Sequence, residues 1–183
     1  EKADIEIVDP ALKAYRLRND KNWSAAAAAY EEAMKDKRYK NEQNIYIAAA
    51  EVYKEDKKYE KALGVLDLIP EKYRDEMMVE ITKADIQVAA GETGKAKEAL
   101  SAAVTEAGDD LSGLNQILSM ATKFEFKEEA DAIQAKIDKI NTEREREQEE
   151  LNKLVEEEKE KLNAEQEENN VPTQTENSQE SQE

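Results

Sequence analysis

The sequence predicts an all-α chain, an α-solenoid of about four helix-turn-helix units, and three observations carry that reading. Only 5 Gly and 3 Pro occur in 183 residues rich in Ala, Glu, Lys and Leu, the residues that favour helix most. The chain repeats itself: Asn22-Trp23-Ser24-Ala25-Ala26, Lys58-Tyr59-Glu60-Lys61-Ala62 and Glu92-Thr93-Gly94-Lys95-Ala96 align at offsets of 36 and 34, and another 34 residues reaches Lys127, with Ala130 where Ala96 stood. Apolar residues recur three and four apart, which draws one stripe along each helix. Two such stripes packed together leave apolar edges that only a neighbouring unit covers, the logic of a repeat array.

The units divide at about 7–42, 43–76, 77–110 and 111–141, after a lead-in of residues 1–6. Ala14, Ala50 and Ala84 on the first helices, and Ala26, Ala62, Ala96 and Ala130 on the second, allow close helix approach. Larger groups lie one turn away: Leu17 and Tyr53, then Tyr30, Leu66 and Leu100. An ordinary helical bundle is the competing reading, but it does not require four units in phase.

These residues resemble the tetratricopeptide repeat (TPR). Unit two carries the pattern most fully, in Tyr46, Ala49, Ala50, Tyr53, Tyr59, Ala62, Leu66, Ile69 and the nearby Pro70. Unit one supplies Ala14, Leu17, Trp23, Ala26, Tyr30 and Ala33. Unit three supplies Ala84, Gly91, Ala96, Leu100 and Ala103, with Glu80 and Gln87 out of pattern. Unit four supplies Leu114, Ile117, Leu118, Ala121, Ala130 and Ile137, with Gln134 out of pattern.

The resemblance implies a right-handed superhelix with a concave face lined by the first helix of each unit. Its groove positions map to Leu12, Tyr15 and Arg18, then to Asn44, Ile47, Ala48, Glu51 and Lys54. They continue through Met78, Ile81, Thr82, Asp85 and Val88 to Ser112, Asn115, Gln116, Ser119 and Lys123. Ile47, Ile81 and Val88 suit apolar side chains of a bound peptide, unless Ile47 and Ile81 pack against the next unit's helix instead. Arg18, Glu51, Asp85 and Asn115 suit hydrogen bonds that orient it. The clamp with which some TPR proteins hold acidic chaperone C-termini needs two Lys, two Asn and an Arg. Its positions here read Ala11, Tyr15, Ala48, Met78 and Thr82, or Ile47, Glu51, Thr82, Ser112 and Gln116. Neither set offers the cations a carboxylate needs, so a chaperone C-terminus is not an expected partner.

Beyond the repeats, 114–171 has no Gly or Pro, so the last helix has nothing to stop it, although Thr142 and Glu145 have capping-box spacing for a fresh start. Glu149→Lys153 and Glu157→Lys161 support a charged helix over 142–165. Leu151, Leu154, Val155 and Leu162 suit a cap over unit four; a free solvated rod and self-association are the alternatives. A heptad seam through Ile133, Ile137, Ile140, Arg144, Glu147, Leu151, Leu154, Glu158 and Lys161 is broken by its polar steps. Residues 166–183, with Val171 the one larger apolar side chain, read as a disordered acidic tail.

Charge and composition narrow the function. Lys and Arg number 27 against 44 Asp and Glu, net −17, with 15 Glu against 5 Lys and Arg in 141–183. That balance opposes nucleic-acid phosphates and anionic membranes, and no run approaches the roughly 18 apolar residues of a membrane span. With no His and no Cys, imidazole triads, thiol chemistry and Cys/His metal sites are excluded. No phosphate loop or calcium loop occurs, so neither catalysis nor a cofactor is expected. The expected function is a non-catalytic scaffold or adaptor that takes a peptide segment of a protein partner in the groove. The alternative is an assembly or spacer element whose acidic 141–183 segment makes the contacts; homo-oligomers are not favoured. Glu1 in place of Met reads either as a removed signal or as an expression boundary, and no targeting segment decides between them; the lean is to the bacterial cell envelope, with the cytoplasm the alternative. Asn22-Trp23-Ser24 matches the glycosylation pattern, a triplet of little weight alone.

Overall fold

A computed structural model of the chain describes residues 9–169; the lead-in 1–6 and the tail beyond 169 lie outside them. Every regular element among the described residues is helical. The order is α1 (Pro10–Asn19), α2 (Trp23–Lys35), α3 (Gln43–Glu55), α4 (Tyr59–Leu66), a 3-10 turn (Glu71–Tyr73), α5 (Glu76–Ala89), α6 (Thr93–Ala107), α7 (Leu111–Lys123) and α8 (Lys127–Asn169). Two compact units divide the chain, with the boundary after Ile137 inside α8.

In the first unit each helix from α1 to α6 packs on the next, α6 packs on α7, and α3, α5 and α7 also touch in sequence. The alanines explain how closely they approach: Ala14, Ala26, Ala50, Ala62, Ala84 and Ala96 are all fully buried. Tyr30, Tyr53, Leu66 and Leu100 fill the space one turn away, each at most 4% exposed.

The links within the helix pairs repeat one backbone geometry. Lys21, Lys57, Gly91 and Glu125, spaced 36, 34 and 34 residues apart, have φ of +55°, +58°, +79° and +61°. After each, the next N–H reaches back five residues: Asn22 to Leu17, Lys58 to Tyr53, Glu92 to Gln87 and Phe126 to Ala121, at 2.8–2.9 Å. This is the Schellman closure of a helix C-terminus, which satisfies carbonyls the helix leaves open. The following alanine (Ala26, Ala62, Ala96 and Ala130) then donates to the residue four before it and opens the second helix. Side chains cap other N-termini: Asp9 accepts from Leu12 N at 3.0 Å, Asp75 from Met78 N at 3.2 Å and Asp110 from Gly113 N at 2.9 Å.

Unit two departs from a plain hairpin. Its second helix ends at Leu66, before the Ile69-Pro70 step, because proline disfavours helix in the residue ahead of it. Ile69 tucks into the core at 4% exposure, and the Arg74 guanidinium donates to the Leu66 carbonyl at 3.3 Å, capping the shortened helix. In unit three the out-of-pattern Glu80 is occupied by Lys83, 2.7 Å away on its own helix.

The fresh start at Asn141-Thr142 does not occur. The Thr142 hydroxyl donates to the Asp138 carbonyl at 2.9 Å inside an unbroken α8, so it is not a cap. The helix also covers 166–169, the first residues of the segment expected to be disordered. In the second unit Leu151, Leu154, Val155 and Leu162 are 43–59% exposed.

Candidate ligand groove

One face of the first unit gathers the first helix of every pair around a cavity of about 450 Å³, within the range of small-ligand and side-chain pockets. Helical periodicity builds its walls. Residues three and four apart share a face, so α3 presents Ile47, Glu51, Lys54 and Glu55, and α5 presents Met78, Ile81, Thr82, Asp85 and Ile86. Gln116, Met120 and Lys123 enter from α7, Arg18 from α1, and Trp23 from the start of α2.

Of the sequence-predicted groove residues, Arg18, Ile47, Glu51, Lys54, Met78, Ile81, Asp85 and Gln116 line this cavity, as do Thr82 and Lys123. Leu12 and Tyr15 stand outside it on α1, 52% and 56% exposed. Asn44, Asn115 and Ser119 are exposed and Val88 is half-buried, all outside the cavity; the Asn115 amide donates at 2.6 Å to Leu111 O on its own helix. Ala48 is half-buried and Ser112 exposed. Trp23, Glu55, Ile86 and Met120 were not among the predicted groove residues. Glu55 and Met120 each follow a predicted position by four, so helical spacing alone would have found them. Ile81 is only 5% exposed, and Ile47 packs against the buried core. Both therefore belong partly to the packing of neighbouring helices.

The charged residues meet one another. Arg18 Nη2 lies 2.7 Å from Glu51 Oε2, joining α1 to α3. Lys54 Nζ lies 2.5 Å from Asp85 Oδ2, joining α3 to α5, and Lys123 Nζ lies 3.1 Å from Asp85 Oδ1, joining α5 to α7. Each step between successive first helices thus carries an ion pair. Lys54 also approaches Glu55 at 3.4 Å. The three cations and three carboxylates of the lining balance, in a chain of net −17.

Lys54 and Asp85 are the most enclosed of these, with side chains 18% and 19% exposed. Burial is the largest influence on Asp85 and pushes its carboxyl up; hydrogen bonds and charge from Lys54 and Lys123 together outweigh it and hold the group below its ordinary 3.8. For Lys54, burial pulls the amine down, and Asp85 with Glu55 more than reverse it, leaving it above 10.5. Both shifts favour the charged pair. Tyr30, beneath Arg18, is raised chiefly by burial, against the opposing Arg18 hydrogen bond.

Between the ion pairs the surface is apolar: Ile47, Met78, Ile81 and Met120, with the Gln116 amide 3.3 Å from the Met78 sulfur. Thr82 turns its hydroxyl to the Met78 carbonyl of its own helix, at 2.7 Å. Such a surface can hold an apolar side chain between polar rails. Among the described residues no cluster of three or more His, Cys, Asp or Glu could hold a metal ion, and no helix is long and apolar enough to cross a membrane. Comparison with protein-family models, curated proteins and solved structures finds no match to this chain.

Proposed function

We propose that the chain is a non-catalytic interaction scaffold, a right-handed α-solenoid of four tetratricopeptide-like helix pairs that takes a peptide segment of a protein partner in its groove. The observation that carries the reading is the coincidence of two patterns. Four left-handed turns recur at 36, 34 and 34 residues with one hydrogen-bond pattern, and the first helix of each pair so defined contributes to a single cavity. An apolar side chain of the partner enters among Ile47, Met78, Ile81 and Met120. The polar rails on either side set its direction, since apolar contact supplies most of the affinity and a few placed polar groups supply orientation.

The balance of charge refines the ligand. Arg18, Lys54 and Lys123 are already opposed by carboxylates, so an acidic peptide finds no uncompensated cation in the groove. A neutral or mildly basic segment with one medium-sized apolar anchor fits better, in keeping with the acidity of the whole chain.

The alternative places the contacts in the acidic 141–183 segment. Capture of partners from the native extract separates the two, using the intact chain, Met78→Glu/Met120→Glu, and a chain ending at Ile140. The methionines are better positions than Ile81, whose 5% exposure makes Ile81→Glu a test of the core. A partner lost by the double variant at unchanged helicity, and kept by the shortened chain, supports the groove. A partner kept by the double variant and lost on shortening moves the function to the extension.

A further inference from the structure

The exposed apolar side chains of α8 in the second unit form a face. At 3.6 residues per turn, Leu151, Val155 and Leu162 fall within about 40° of one another and Leu154 lies about 60° to one side. They are 53%, 43%, 56% and 59% exposed. Gln148 and Glu158 continue the stripe on either side of the Leu151–Val155 centre. We propose that this face pairs with the same face of a second copy of the chain, antiparallel, about a two-fold axis near residue 153.

Charge fixes both the partner and the direction. In the antiparallel register Leu151 meets Val155 of the second copy, and Gln148 meets Glu158, an amide against a carboxylate. On the flanks Glu147 lies beside Lys161 of the second copy and Glu145 beside Lys159, each pair occurring twice by symmetry. Of the polar steps that interrupt a parallel seam, Glu158 thus meets Gln148 and Glu147 meets Lys161, while Arg144 falls opposite Leu162. Such polar layers fix register at some cost in stability. A parallel pairing stacks Glu158 on its own copy and sets Glu147 beside Asn152, with no opposite charges opposed. A strongly basic foreign helix is also a poor fit, because Glu149, Glu156 and Glu160 project from the opposite side of α8. The flanks of the apolar stripe carry both signs, which suits a self-complementary surface. Two chains of −17 repel at long range, so association belongs at physiological salt, where exposed charges are screened beyond about 8 Å.

The chain has no cysteine, so two single-cysteine variants of the full chain, Glu147→Cys and Lys161→Cys, report the register under mild oxidation. Antiparallel pairing gives a disulfide-linked dimer when the two are mixed and little from either alone; equal linking of each variant with itself overturns the proposal. Sedimentation of the unmodified chain is expected to show a dimer that Leu151→Ser/Val155→Ser weakens about tenfold or more, equivalent to about 1.4 kcal/mol. If that variant also loses helicity, the charge swap decides: Glu147→Lys and Lys161→Glu each weaken the dimer, and together they restore it. An unmodified chain that sediments as a monomer at every concentration, or a swap that restores nothing, overturns the proposal.

Discussion

Replacing Gly91 with alanine isolates the backbone energy of the repeated turn. Gly91 holds φ at +79°, and a Cβ added there meets nothing within 4 Å, so no steric term enters. An L-residue in the left-handed region costs about 1–2 kcal/mol, less about 0.5–1 kcal/mol for the stiffer unfolded chain, a net loss of roughly 0.5–1 kcal/mol that for a chain of this size lowers Tm by roughly 1–4 °C. The equivalent turn of unit two already carries that strain, because Lys57 sits at φ +58°. Lys57→Gly relieves it, less about 0.5–1 kcal/mol for the freer unfolded chain, and should stabilise by roughly 0.5–1 kcal/mol. Urea unfolding followed by circular dichroism reads both, as shifts of the midpoint at constant slope. A neutral Gly91→Ala, or a Lys57→Gly that destabilises, would refute the claim that the two turns share one geometry.

Asp85→Asn removes the carboxylate that two lysines share and leaves the enclosed Lys54 with Glu55 alone; the expected loss is about 1–3 kcal/mol by urea unfolding at neutral pH. Because the folded-state value of Asp85 is lowered, its contribution is present above 3.8 and is lost as pH falls through the folded value below that; the difference between parent and Asp85→Asn should close there. Lys54 is raised, so its contribution is complete below 10.5 and is lost only as pH rises through the higher folded value. Tyr53 is pushed up to about 12, by burial first and then by its hydrogen bond to the Glu31 carboxylate. Ultraviolet titration should show a tyrosine ionising at about 12, and Tyr53→Phe should delete that step; a Tyr53 that ionises at the ordinary 10.0 would contradict the packing described.

Much of the fold was legible because the packing rule is simple. Ala26, Ala62 and Ala96 must be small where helices touch, and their spacing showed in the sequence before any contact was known. The left-handed turns were legible only at Gly91. Lys21, Lys57 and Glu125 take the same conformation, held by backbone closure, and lysine or glutamate carries no local sign of it. The groove positions along α3 and α5 came from the resemblance rather than from spacing, and neither displays the ion pairs that form among them. Arg18 and Glu51, expected to reach for a ligand, reach for each other, since side chains 33 residues apart meet only once the helices stack. The Thr142 capping box failed for a related reason: a hydroxyl in mid-helix bonds back to its own carbonyl ladder as readily as it caps.

The four methionines offer the most direct reading of where a partner sits. Met78 and Met120 line the groove, Met34 lines a cleft with Tyr46 and Leu68, and Met77 lies against Gly113. A photoreactive methionine incorporated throughout the chain, irradiated with the captured partner and mapped by mass spectrometry, is predicted to place the cross-links at Met78 and Met120. Cross-links confined to Met34, or a bound partner that reaches none of the four, would contradict a groove-binding scaffold.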